Sequence, residues 1–147
     1  TALNQAHLNG GVFIRIKRGS VITKPIHIMM LATPDEVAAV NHPRVLVVVE
    51  DGAQATIVQS FAGPKHGVYF TNAVTEFVIG ENAIVDHYKL NQESLDAFHV
   101  ASKHAILGRA SQFIDHNATI GSRVTRNDIH VRLNGEGSYS VLNGLVI

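Results

Sequence analysis

Residues 103–120, KHAILGRASQFIDHNATI, are two short apolar runs hinged at Gly108-Arg109-Ala110. The same form stands before it as TEFVIGENAIVDHYKLN (75–91) and VLVVVEDGAQATIVQSF (45–61), and after it as DIHVRLNGEGSYSVLNG (128–144). Each copy has the form strand, small-residue turn, strand. Aligning the small residue at each hinge sets Ala53, Ala83, Ala110 and Gly137 in one column, spaced 30, 27 and 27 residues apart. A fixed period in this range is the signature of a stacked repeat architecture, in which each unit buries its apolar face only against its neighbours.

Residue columns built on that alignment support a stack. Four residues before each hinge stand Val49, Ile79, Ile106 and Leu133; six before stand Val47, Phe77, His104 and Val131. Four after stand Ile57, His87, Ile114 and Val141. These columns are mostly apolar, whereas the column seven before (Leu46, Glu76, Lys103, His130) is largely polar. One strand parity faces a core and the other faces solvent, so like residues at equal offsets predict strands lying above one another. The expected fold is a right-handed parallel β-helix, since the hexapeptide pattern of the left-handed form is absent. A free-standing β-sandwich is the alternative that the turn spacing also permits.

The flanking segments fit this plan. Val12, Ile14 and Ile16 alternate with Phe13, Arg15 and Lys17, which predicts a half-buried strand in a degenerate first coil completed by Val21–Leu31. Thr33-Pro34-Asp35-Glu36 fits either a capped helical turn or a loop. Residues 1–10 are polar and predict no element. The apolar run at 142–147 lacks the polar cap that a stack end requires, so the 147 residues are expected to be a β-helix core fragment of a longer chain.

Composition narrows the function. The formal net charge is zero, with 12 basic and 12 acidic residues and no basic run, so the electrostatics for nucleic acid or an anionic membrane surface are missing. There is no cysteine, hence no disulfide and no thiolate for zinc, for iron or for a persulfide. No apolar stretch approaches the length of a membrane span. A cytoplasmic location is expected, or a plastid one if the source is a plant. No GxSxG, HExxH or phosphate-loop pattern occurs. No metal site is expected within the chain.

One column demands explanation. Six residues after the hinge stand Gln59, Lys89, His116 and Asn143, whose parity predicts that they point inward. A buried unpaired amide costs about 1–3 kcal/mol and an unpaired ammonium more. Three readings follow: the four satisfy one another and fix the coil register, a bulge turns them outward, or water or a ligand enters among them. A one-residue slip in register would dissolve the column. Nine histidines stand in the chain. Asp86-His87 and Asp115-His116 are neighbours on opposite strand faces and cannot be catalytic dyads as they stand. His87 and His104 fall in apolar columns, and His42, His66 and His99 in predicted loops.

The residues now support a comparison with a family. VYFTNAVTEFVIGENAIVDHY (68–88), GVFIRI (11–16), PIHI (25–28), EDGAQAT (50–56), RNDI (126–129), LNGEG (133–137) and LNG (142–144) resemble, in order and spacing, the SufB/SufD family of the SUF iron–sulfur cluster assembly system, its SufD branch more closely than its SufB branch. The resemblance covers the chain from Gly10 onward. It implies a non-catalytic scaffold that pairs with a SufB-like subunit and carries a SufC-like ATPase through a region beyond this chain. It also implies that an iron–sulfur cluster rests transiently on the parent complex, with no cofactor bound by this segment alone. The family's functional histidine near the subunit interface lies downstream, so none of the histidines here inherits its role. The rival class is a β-helix enzyme acting on polysaccharide. It would need paired carboxylates on an outer face, where the alignment puts Glu76, Lys103, His130 and Arg132.

Overall fold

The computed structural model describes residues 2–8, 10–33 and 39–147; the segment at Pro34-Asp35-Glu36 lies outside them. Among the described residues, eleven strands follow one short helix. The helix is α1 (Ala2–Ala6); the strands are β1 (Val12–Ile16), β2 (Ile26–Leu31), β3 (Val40–Asn41), β4 (Arg44–Val49), β5 (Gln54–Ala62), β6 (Phe70–Ile79), β7 (Ile84–Gln92), β8 (Phe98–Leu107), β9 (Gln112–Thr119), β10 (Val124–Leu133) and β11 (Tyr139–Val146).

Every strand pairing among the described residues is parallel; β1, β2 and β3 stack on β4, β5 and β6, and from β4 onward strands two apart in sequence stack. One sheet runs β1-β4-β6-β8-β10, with β3 also on β6, and the other runs β11-β9-β7-β5-β2. The chain therefore winds through two facing sheets as a β-solenoid. A sandwich of antiparallel hairpins is excluded. The α1 helix was not visible in the sequence. It lies against the outer face of β6, where Asn4 Nδ2 donates to the carbonyls of Asn72 (2.8 Å) and Pro43 (3.1 Å).

The tight turns set the rungs. Gly19, Gly52, Asn82, Ala110 and Gly137 all have positive φ, between 54° and 70°. The amide of each of the first four donates to the carbonyl that precedes the next one in the stack: Gly19 to Asp51, Gly52 to Glu81, Asn82 to Arg109 and Ala110 to Glu136. Glycine and asparagine adopt this left-handed conformation readily. Alanine does so only under constraint, at a cost of about 1–2 kcal/mol.

This ladder corrects the hinge alignment. Ala110 stacks on Asn82, not on Ala83, and Gln112 pairs with Ile84. The true spacings are therefore 30, 28 and 27 residues. Residues of β8 and β9 shift by one against the predicted columns. Leu107 and Ala105, not Ile106 and His104, face inward beside Ile79 and Phe77. Leu142, not Val141, continues the column of Ile57 and His87.

Next to the turns the interior is apolar. Val47, Val49, Ala55, Phe77, Ile79, Val85, Ala105, Leu107 and Phe113 form one buried cluster. Burying each of the larger side chains contributes about 1.5–3 kcal/mol.

Candidate functional site

Farther from the turns, the interior of the coil becomes polar. Following the observed register, Thr75 of β6 and Lys103 of β8 project inward from one sheet, and Gln59 of β5, Lys89 of β7 and Asn117 of β9 from the other. Lys103 is 4% exposed, so it belongs to the core and not to the outer polar column. His99 lies in β8, not in a loop, and is fully buried.

Two hydrogen-bonded groups fill this region. In the first, Asp115 accepts from Lys103 Nζ (2.5 Å), from His87 Nδ1 (2.6 Å) and from Asn117 Nδ2 (2.7 Å). Lys103 Nζ also reaches Asn117 Oδ1 at 3.2 Å. Burial holds the His87 imidazole down at about 4, reinforced by the Lys103 charge, so the ring is neutral at pH 7. Its one proton is on Nδ1, facing Asp115. Nε2 is thus a buried lone pair without a partner, with Phe77 and Phe113 packed against the ring. Burial alone would raise the Asp115 carboxyl. The hydrogen bond from His87 and the charge of Lys103 outweigh it and hold the group at about 2.

The second group is a chain. Thr71 Oγ1 donates to Glu93 Oε1 (2.6 Å), and His99 Nδ1 donates to Glu93 Oε2 (2.6 Å). His99 Nε2 accepts from Lys89 Nζ (2.8 Å), which also donates to Asn127 Oδ1 (2.5 Å). Glu93 follows β7, and its amide donates to Asn91 Oδ1 at 3.0 Å. Burial, then the nearby Lys103 charge, lowers the Lys89 amine to about 7. Burial also lowers His99 despite the Glu93 carboxylate. Phe61 closes one side, 5.1 Å from Lys89 Nζ and 4.8 Å from the His99 ring centroid.

The predicted inward column is thus half retained. Gln59 and Lys89 do face inward, at 2% and 5% exposure, and Gln59 accepts from Thr75 Oγ1 at 3.1 Å. His116 and Asn143 do not. The one-residue shift places both on the outer face, where His116 stacks on Tyr88 with centroids 4.8 Å apart and contacts Asn143 at 3.3 Å. Asn117 and Gly144 take their inward places. Of the adjacent pairs, Asp86-His87 and Asp115-His116 make no dyads, but His87 of one coil meets Asp115 of the next. Sequence reasoning missed Glu93, His99, Lys103 and Asp115. The signal that would have found Lys103 and Asp115 is the left-handed turn position, which Gly52, Asn82 and Gly137 mark and Ala110 conceals.

This arrangement can hold and pass protons, with Asp115 paired to Lys103 and Glu93 held by hydrogen bonds from Thr71 and His99. Among the described residues, no three histidine, aspartate or glutamate side chains converge as a metal centre would need. No helix is long and apolar enough to cross a membrane.

Residues 30–147 match the family model described as the SufBD core domain of the SUF iron–sulfur cluster assembly system. The chain is 29% identical to an iron–sulfur cluster assembly SufBD family protein of Synechocystis sp., over 99% of this chain and 34% of that one. It is also 29% identical to the iron–sulfur cluster assembly protein SufD of Escherichia coli, over 91% of this chain and 32% of that one. The chloroplastic protein ABCI7 of Arabidopsis thaliana is 29% identical as well, over 88% and 28%. No solved structure matches. The chain spans about a third of the length of these relatives. With the family model covering most of the chain and a parallel solenoid beneath it, the chain belongs to the SufB/SufD family of the SUF iron–sulfur cluster assembly system.

Proposed function

We propose that this chain is the core of a scaffold subunit in an iron–sulfur cluster assembly complex. It pairs with a SufB-like subunit and, through a region outside these residues, carries a SufC-like ATPase. The cluster is cargo of the complex. A cytoplasmic or plastid setting fits this role.

The match to the SufBD core domain carries the scaffold reading; the acids lean the same way, since among the described residues most are held in ion pairs and only Asp86, Asp96 and Glu136 are in none. On the outer surface, Glu50 pairs with Arg15, Asp51 with Arg18, Glu76 with Arg44, Glu81 with Arg109 and Asp128 with Arg126. A glycosidic bond needs two carboxylates free to donate and accept around it. The acids here with the strongest internal partners, Glu93 and Asp115, are sealed inside the coil, out of reach of a polymer. A stiff stack with a hydrogen-bonded interior suits the transmission of position between partners. The test is purification of the full-length parent from its host, with mass spectrometry of bound chains. Recovery of a SufB-like chain and a SufC-like ATPase is expected. Recovery of the parent alone, with measurable polysaccharide cleavage, would overturn this reading.

A further inference from the structure

The Lys89 amine is held in a manner that suits it to chemistry. Its two hydrogen-bond partners are His99 Nε2 and Asn127 Oδ1. A neutral amine has two N–H groups, and both are matched. An ammonium would carry a third N–H, for which the described residues supply no acceptor. As the free amine, Lys89 keeps its lone pair for the void that it lines with Thr75, Ser102, Lys103, Asn117 and Asn127. That void has a volume of about 10 Å³, close to one water molecule. Desolvation and a neighbouring cation are the two conditions that turn a lysine into a nucleophile, and both are present.

We propose that Lys89 is a carbamylation site, its amine adding carbon dioxide while the His99–Glu93 pair takes the proton and Lys103 and Asn117 receive the new carboxylate. The balance is simple. The nitrogen lone pair forms the N–C bond, one C=O π pair moves onto oxygen, and nothing is oxidised or reduced. One N–H proton passes to His99 Nε2 along the existing 2.8 Å contact, and the resulting imidazolium rests against Glu93 at 2.6 Å. The second N–H keeps its bond to Asn127.

Charge favours this electrophile over an anion. The charged and titratable groups facing Lys89 are Glu93 after β7, His99 and Lys103 of β8, and Asp115 of β9, with His87 beside them. Carbon dioxide enters neutral and the proton stays inside, so the net charge of this enclosed group does not change. An anion would bring a charge without a counterion, which burial penalises heavily.

The experiment is carbon NMR of the full-length protein equilibrated with isotopically labelled bicarbonate. The α-amino terminus, which also carbamylates, serves as the internal reference. A second carbamate resonance is expected that grows as pH rises through about 7, whereas an ordinary lysine responds only near 10.5. The resonance should vanish in Lys89→Met. In His99→Gln, which keeps an acceptor but no base, its appearance after addition of carbon dioxide should slow by about 100-fold. Absence of the second resonance in the folded wild type, or its survival in Lys89→Met, would overturn the site. Equal rates in wild type and His99→Gln would overturn the relay's part in it.

Discussion

Each coil has two halves that obey different rules. Beside the tight turns, Val47, Phe77 and Ala105 face Ala55, Val85 and Phe113, and any apolar side chain of similar volume would serve. Toward the longer loops, Lys89, Glu93, His99, Lys103 and Asp115 each need one particular partner at hydrogen-bond distance. The apolar half supplies most of the driving force, because the hydrophobic effect has no direction. The polar half fixes register. Sliding the coil of β8 and β9 by a residue would turn Lys103 and Asp115 outward together, bring His104 and His116 inside and leave the buried His87 Nδ1 without its acceptor. The two halves therefore separate stability from specificity along a single strand.

The largest effect is expected from emptying the apolar half. Phe77 is 1% exposed, with Phe113 and His87 ring centroids each 5.0 Å away. Phe77→Ala should cost about 3–5 kcal/mol in chemical denaturation. A loss below about 1 kcal/mol would show that the energetic core lies elsewhere.

Asp115→Ala should cost nearly as much, for a different reason: it strands the buried Lys103 ammonium, which typically costs about 3–5 kcal/mol. Replacing the pair together, Lys103→Met with Asp115→Leu, should recover most of that loss. If the double variant is as unstable as the single, the polar half contributes net stability and the division of labour fails.

The pH profile separates the halves without removing a side chain. Asp115 titrates near 2 when folded, against 3.8 ordinarily, so its contribution is present above pH 4 and is lost as pH falls toward 2. His87 resists protonation down to about 4, against 6.5, so stability already declines as pH falls from 6.5 to 4. Lys89 gives the opposite limb. From pH 7 to 10.5 the unfolded lysine holds a proton that the folded one has released, so raising pH through this window stabilises the fold. The difference in unfolding free energy between wild type and Lys89→Met should therefore shift in favour of wild type between pH 7 and 10. A constant difference would mean that Lys89 stays charged inside the coil.

The smallest effect marks the boundary of the network. His116 stacks on Tyr88 outside the sheet, so His116→Ala should change stability by less than about 0.5 kcal/mol. A loss comparable to that of Asp115→Ala would return His116 to the interior and restore the spacing of 27 residues between the second and third hinges.

The sequence by itself determined the repeat, the strand-turn-strand unit, the parallel stack and the family. These rest on periodicity and residue type, which tolerate an error of one position: apolar columns stay mostly apolar after a slip, as Val47, Phe77 and Val131 show. The inward parity of Gln59 and Lys89 was legible for the same reason. The membership of the polar network was not. It depends on whether Ala110 stacks on Asn82 or Ala83, and alanine gives no local sign of the left-handed conformation that glycine advertises at Gly52 and Gly137. Only the backbone ladder from turn to turn settles that choice. Because strand side chains alternate faces, the one-residue answer moved His116 and His104 out and brought Asp115 and Lys103 in. Glu93 and His99 were beyond sequence reading for a second reason. His99 meets both Lys89 and Glu93 across the width of the coil, contacts set by the distance between two sheets and by no spacing along the chain.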